Sequence, residues 1–211
     1  MRVRSIVPFL GMLVAAALLL FSRGTPSRAA QQDPQPIRLQ AGTFVPAAGE
    51  SLAVPADLML AEPTIGSDGY YIVQFNGPTQ EAWKDQVASM GGELLAYLPE
   101  NAFKVRMNPA LAARVAGLKT VAWVGVFQPA YKISPSVDLD GRNLLRVRVE
   151  SGADAAQAAA AVAAGGVAVL DRDNDLMLVA AEAGQVTGIA QVVDVAWIEP
   201  FVMPEKLNDS G

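Results

Sequence analysis

The densest group of ionisable side chains in this chain is the run Asp171-Arg172-Asp173-Asn174-Asp175. Carboxylates this close could hold a calcium ion, act as a general acid and base pair, or cap the helix N-termini of a partner. The run lacks the glycine and the downstream glutamate of an EF-hand loop. Asp and Asn are also favoured in turns, so a solvated hairpin turn is the simplest interpretation, and the others stay open beside it.

Two residue types with strong chemistry are missing, because the 211 residues include no histidine and no cysteine. This excludes Ser-His-Asp and Cys-His nucleophilic systems and most zinc sites. An enzyme built on carboxylates alone remains an alternative. We expect a protein that is not an enzyme, with no catalytic residue, no metal and no cofactor. No disulfide can form, so the fold must be held by packing.

An internal repeat positions these residues. Residues 71–127 align without a gap on residues 145–201, at an offset of 74 (197 minus 123), so that Trp123 falls on Trp197. Such self-similarity predicts one supersecondary unit used twice. The glycine pairs Gly91-Gly92 and Gly165-Gly166 also match, and they follow predicted helices, which favours helix C-caps over phosphate loops. The two tryptophans are better explained by packing in the core or between repeats than by ligand stacking.

The order of elements in each repeat predicts a ferredoxin-like unit. Tyr71, Val73 and Phe75 alternate with other residues as in a strand, and a helix follows over 80–90, with Thr79 as its cap. A hairpin with its tip at 99–101 and a second helix capped by Asn108 lead to the last strand. The order β-α-β-β-α-β is the split βαβ arrangement. We therefore predict an α+β fold of two tandem ferredoxin-like βαββαβ sandwiches, antiparallel sheets with helices on one face.

The chain divides into five segments. Residues 1–30 have a charged start, an apolar stretch and small residues near Ala29, as in a secretory signal peptide cleaved near Ala29 or Ala30. We therefore expect a secreted or extracytoplasmic protein with no stable membrane anchor after cleavage, and an uncleaved anchor is the alternative. Residues 31–68 are a Pro/Gly/Ala-rich lead-in, expected to be extended and partly disordered, with Phe44 and the run 58–60 as its anchors. Repeat 1 covers 69–134, repeat 2 covers 142–201, and 202–211 form an extended C-terminal tail.

The charge of the chain argues against nucleic acid as a partner. Residues 1–30 contain four arginines and no acid, so their removal moves the net charge from −5 to −9 (−5 minus 4). A chain this acidic offers no basic face to a phosphate backbone.

Within repeat 2, Leu176 to Val179 is apolar on both faces, so something should cover its outer face. We favour the other repeat as that cover, with a partner protein as the alternative.

The motifs resemble those of a known family. The segments GYYIVQFNGP at 69–78, PENAFKVR at 99–106, VAWVG at 121–125 and QPAYK at 128–132, with AGTFVP at 41–46 before them, carry the resemblance. Together they resemble the N-terminal prodomains of secreted subtilisin-like serine proteases, of the fervidolysin-like sort. The resemblance covers about residues 38–207 and is more specific in repeat 1 than in repeat 2.

The resemblance implies a role without catalysis. Such prodomains are inhibitors and folding chaperones of a subtilisin-like catalytic domain, in cis or in trans, and their sheet docks on two of its helices. The catalytic Asp, His and Ser motifs are absent here, so we expect a prodomain without its enzyme. The alternative is an exported two-repeat structural or ligand-binding module with no protease partner.

Two sets of site residues follow from this expectation. An extended tail can lie in a protease cleft like a substrate, and we assign this role to Phe201, Val202, Met203, Pro204, Glu205, Lys206, Leu207 and Asn208. A frayed terminus is the alternative for this tail. Helix N-termini attract carboxylates, so Asp173 and Asp175, and more weakly Glu100, are predicted to dock on the protease helices.

Overall fold

The computed structural model describes residues 35–60 and 67–203, and these residues form an α+β fold with two four-stranded antiparallel sheets. A small two-stranded hairpin precedes them, made of β1 (Ile37–Leu39) and β2 (Gly42–Phe44). The fold class predicted from the sequence is confirmed. No helix among the described residues is both long enough and apolar enough to cross a membrane.

Repeat 1 follows the predicted order of elements. Its elements are β3 (Gly69–Phe75), α1 (Glu81–Ser89), β4 (Glu93–Leu98), β5 (Ala102–Met107), α2 (Pro109–Ala116) and β6 (Val121–Val126). The sheet order is β4-β5-β3-β6, and every pair is antiparallel. The apolar residues that alternate along β3 and β5, such as Val73 and Val105, pack with Val87 of α1 and Val115 of α2 in one core.

Repeat 2 has the same order of elements as repeat 1. Its elements are β7 (Asn143–Val149), α3 (Ala155–Ala164), β8 (Ala168–Asp173), β9 (Leu176–Ala181), α4 (Gln185–Gln191) and β10 (Val195–Pro200). The sheet order is β8-β9-β7-β10, the same as in repeat 1. Trp123 lies opposite Gln74, and Trp197 lies opposite Arg148, so the offset of 74 holds for these strand partners. The edge strands β4 and β8 match at an offset of 75 (168 minus 93) instead, because the following turn, 99–101 in repeat 1, is shortened to 174–175 in repeat 2.

Of the two predicted side-chain caps, the one at Asn108 is confirmed and the one at Thr79 is wrong. The Asn108 side chain accepts a hydrogen bond of 2.9 Å from the Leu111 N–H, as expected for a cap before Pro109. Thr79 does not cap α1, because the helix begins one residue later, after Gln80, and the Thr79 hydroxyl is buried without a partner among the described residues. Gly91 has a φ of 102°, which is the left-handed backbone expected after a helix.

The described part of the lead-in is ordered against the body. Ile37 and Phe44 are buried on the first sheet, and the buried Gln74 donates to the carbonyl of Gln35. Leu58 is buried in the core of repeat 2 beside α4, so this segment contacts both repeats. Phe44 and Leu58 are anchors as predicted, whereas Met59 and Leu60 remain 51% and 39% exposed.

Candidate functional site

The outer face of the first sheet, which points away from α1 and α2, is covered by the lead-in. Tyr70 and Ile72 on this face are buried against Ile37 and Phe44. The ring of Phe44 packs edge-on against Trp123 with centroids 5.9 Å apart. Gly125 lets the Trp123 ring lie along the strand, because a Cβ at that position would sit 2.1 Å from the ring. This face is therefore closed by the chain itself.

The corresponding face of the second sheet is open, and we call it the open face. Strand register places eleven side chains on it: Trp197 and Glu199 of β10, Leu144, Arg146 and Arg148 of β7, Leu176, Leu178 and Ala180 of β9, and Ala168, Asp171 and Asp173 of β8. Leu144 is 41% exposed, and Arg148, Asp171 and Asp173 are exposed.

The open face corrects one expectation from the sequence. Met177 and Val179 of β9 point into the core of repeat 2, while Leu176 and Leu178 point outward and are only half-buried. Repeat 1 does not cover them, since its described contacts with repeat 2 lie at the ends of β7 and β10 and along the edge of β10, where Ile133 bridges Ile198. The preference for the other repeat as the cover was therefore wrong, because the repeats join end to face rather than face to face.

Charge on the open face is arranged in columns along the strands. Arg146 lies 3.3 Å from the Glu199 carboxylate, which also accepts a hydrogen bond of 3.1 Å from the Trp197 indole. The leucines of β9 form an apolar column next to these residues. Asp171 and Asp173 form an acidic column on the far edge, opposite Leu178 and Leu176. A partner that fits this face has an apolar ridge with positive charge on one side.

The predicted acidic tip is shorter than the sequence run suggested. The turn consists of Asn174 and Asp175 alone, and Asp171 to Asp173 belong to β8. Asn174 adopts a φ of 52°, and its amide donates to the Asp173 carboxylate at 2.9 Å. Asp173 and Asp175 are exposed, so both carboxylates remain accessible from solvent.

The third predicted docking residue is placed differently. Glu100 lies in the hairpin turn of repeat 1, whereas the acidic column belongs to repeat 2, and it forms an ion pair of 3.2 Å with Arg38 of the lead-in. The described part of the chain contains no group of three or more acidic side chains placed to hold a metal ion.

The predicted tail begins beside the open face. The Phe201 N–H donates to the carbonyl of Leu144 at 2.8 Å, and the Phe201 ring lies 6.0 Å from the Arg146 guanidinium. Val202 and Met203 are 72% and 77% exposed. Pro204, Glu205, Lys206, Leu207 and Asn208 lie outside the described residues. The chain thus leaves β10 at the border of the open face.

A buried polar joint between the repeats was missed by the sequence reasoning. Lys104 and Glu150 form a buried ion pair, with the Lys104 ammonium 4.0 Å from the centre of the Phe127 ring. The Tyr70 hydroxyl donates to Asp194 at 2.8 Å. The alignment of the repeats contained a signal for this joint, because Glu150 and Asp194 of repeat 2 match the uncharged Asn76 and Thr120 of repeat 1.

A second buried lysine completes the joint. Lys132 is 3% exposed and donates to the carbonyls of Val192 and Val193 at 2.8 and 3.1 Å. Burial lowers the pKa of Lys132 to about 7, and the attraction of Asp194 opposes this shift only in part. Burial also lowers the pKa of Lys104, and the nearby positive charge of Lys132 lowers it further.

Comparison with known proteins identifies one region of the chain. A family model described as a domain of unknown function (DUF8729) matches residues 38–128. This region contains the hairpin of the lead-in except Ile37 and all of the first sheet, and it ends before repeat 2. No curated protein matches the chain.

Proposed function

We propose that this chain binds a subtilisin-like serine protease through the open face and the tail, and acts as its inhibitor and folding chaperone. The single observation that carries the proposal is the position of the tail. It leaves the sheet at Phe201, beside the one outer sheet face that no described segment covers. A protease seated on the open face would receive residues 202–208 directly from β10.

The chemistry of the open face supports docking on helices. Leu176 and Leu178 give an apolar column that can pack between two parallel helices, as helices do on a sheet in a layered fold. Asp171 and Asp173 stand at its edge, where they can accept from the N–H groups of a helix N-terminus. Each such contact stabilises by about 0.3–1 kcal/mol when exposed and up to about 2 kcal/mol when partly buried.

Tail deletion tests the inhibitory element. The chain and a variant that lacks residues 202–211 are assayed against a panel of purified subtilisin-like catalytic domains. The side chains of Val202 and Met203 are exposed, so their removal should leave the thermal unfolding midpoint unchanged. We expect slow, tight inhibition by the full chain and strongly weakened inhibition by the variant. Equal inhibition by both forms would show that the tail is not the inhibitory element.

Charge removal tests the acidic edge. Asp173→Asn with Asp175→Asn should weaken binding to an active-site Ser→Ala catalytic domain about tenfold, which corresponds to about 1.4 kcal/mol. Folding should be unaffected, because both side chains are exposed. The matched control is Asp138→Asn with Asp140→Asn, which removes two carboxylates between the repeats. If both double variants bind like the unmodified chain, Asp173 and Asp175 take no part in docking.

Co-expression tests the chaperone role. A catalytic domain that folds poorly alone should give a higher yield of active enzyme when this chain is produced with it. An unchanged yield over the whole panel, together with no inhibition, would favour the exported module without a protease partner.

A further inference from the structure

Repeat 1 contains a groove that the proposed function does not use. It lies between α1 and the edge strand β4, with a volume of about 620 Å³. Its floor is apolar, formed by Leu94 and by the rings of Tyr97 and Phe103, which pack edge-on with centroids 5.3 Å apart. Tyr97 is 59% exposed. A large aromatic ring therefore stands open to solvent at one end of the groove.

The rim of the groove carries an excess of negative charge. Three carboxylates line it, those of Glu81, Asp85 and Glu93, against the single ammonium of Lys84. Lys84 pairs with Glu81, and Glu93 pairs with Arg106. Among the described contacts, Asp85 has no ion pair, and it is exposed. The groove therefore favours a ligand that carries a positive charge beside an apolar group.

Comparison with repeat 2 shows that the fold does not need these side chains. Glu81 and Asp85 correspond to alanines of α3. Tyr97, which pairs with Phe103, corresponds to Arg172 of β8, which pairs with the matching residue Met177. Repeat 2 nevertheless forms the same sheet with the same strand order. The acidic rim and the exposed ring of repeat 1 are thus additions to a scaffold that is complete without them.

The free edge of β4 indicates the shape of the ligand. Among the described strands β4 pairs with β5 alone, so the backbone groups on its other edge are open for pairing. A register shift between Leu94 and Ala96 interrupts this edge and limits such pairing to a short stretch. An extended peptide is the kind of ligand that matches an open strand edge beside a narrow groove.

We propose that the groove between α1 and β4 binds a short extended peptide in which basic and apolar residues alternate. An apolar side chain of the peptide packs on Phe103 and Tyr97. A lysine or arginine next to it interacts with Asp85 and Glu81 on the helix side. This site is separate from the open face, since the two lie in different repeats.

Binding of two designed peptides to the full-length chain tests the site. A labelled nine-residue peptide of alternating lysine and valine is compared with one of alternating glutamate and valine by fluorescence anisotropy. We expect saturable binding of the lysine peptide and binding at least tenfold weaker for the glutamate peptide. In NMR spectra of the chain, the lysine peptide should change amide chemical shifts around Ala96 and Tyr97. Absence of binding by the lysine peptide, or equal binding of both, would overturn the proposal.

Variants that copy the residues of repeat 2 localise the binding. Glu81→Ala with Asp85→Ala installs the residues of α3 and should weaken binding of the lysine peptide about tenfold. The control Asp140→Ala with Glu182→Ala removes the same charge elsewhere and should leave the affinity unchanged. Tyr97→Ala should weaken binding without changing its dependence on salt. If the rim variant and the control behave alike, net charge rather than the groove attracts the peptide, and the proposal is wrong.

Discussion

The outer faces of the two sheets have the same backbone and opposite surroundings. In repeat 1 the face carries Ile72 and Gly125 and is sealed by the lead-in, while in repeat 2 the matching positions are Arg146 and Glu199 and the face is open. A side chain at 199 prevents Trp197 from lying along the strand as Trp123 does, so the indole instead donates to Glu199. A few substitutions on a fixed scaffold therefore separate a structural face from one suited to a partner.

The largest expected difference concerns burial on the two faces. Phe44→Ala should lower the free energy of unfolding by about 3–5 kcal/mol, because it opens a cavity against Trp123 and Tyr131. Leu144→Ala on the open face should cost less than about 0.5 kcal/mol, since this side chain is already 41% exposed. Urea unfolding followed by far-UV circular dichroism measures both. Similar costs would mean that the two faces are equally packed.

The second prediction tests the polar joint by exchanging residues between repeats. Glu150→Asn, which installs the residue of repeat 1, leaves the Lys104 ammonium buried without its partner and should cost about 3–5 kcal/mol. Adding Lys104→Leu, the residue at 178 in repeat 2, removes that charge and should restore most of the loss. Urea unfolding of the single and the double variant measures both changes in the free energy of unfolding. A double variant as unstable as Glu150→Asn would contradict the role of the ion pair.

The joint also predicts a pH dependence of the free energy of unfolding. The pKa of Lys132 is about 7 in the folded protein and about 10.5 when unfolded, so the unfolded chain binds more protons between these values. Stability should therefore rise with pH from about 7 to 10, by up to about 1.4 kcal/mol per pH unit. Lys132→Met should reduce this rise without abolishing it, because Lys104, whose pKa burial also lowers, titrates in the same range. Denaturant unfolding at pH 7.5 and 9.5 measures the change. A profile that keeps its slope in the variant would assign the titration to another group.

The smallest expected effects come from exchanging the residues at the matching positions 125 and 199 of the two faces. Gly125→Glu places a Cβ where the Trp123 ring lies and should cost about 1–3 kcal/mol through overpacking. Near-UV circular dichroism should report the displaced indole. The reverse change, Glu199→Gly, should cost about 1 kcal/mol or less, from strand glycine and a lost exposed ion pair. Equal effects of the two changes would remove the distinction between Trp123 and Trp197.

The fold was predictable because its signals are local and occur twice. Strand alternation around Val73 and Val147, the glycines after α1 and α3, and the Asn108-Pro109 cap each fix a backbone within a few residues. Thr79 failed as a cap because the choice between adjacent cap positions depends on how α1 packs, which the sequence pattern does not encode.

The candidate site was predictable only in part. Lys104 alternates with apolar residues in β5, whereas Leu176 to Val179 is apolar on both faces, and neither pattern states what lies outside its sheet. The cover of the first sheet comes from the lead-in, whose proline-rich sequence has no period that would indicate packing. The joint was missed for the same reason, since Lys104 and Glu150 meet only through the arrangement of the two repeats.

The most direct test of the central claim asks which sheet face binds the protease. Leu178→Arg is introduced on the open face, and its affinity for an active-site Ser→Ala subtilisin-like catalytic domain is measured by isothermal titration calorimetry. Tyr97→Arg, at an exposed position in repeat 1, is the matched control for the added charge. We predict that Leu178→Arg weakens binding at least tenfold and that the control binds normally. Unchanged binding by Leu178→Arg, with the fold intact, would contradict the role of the open face.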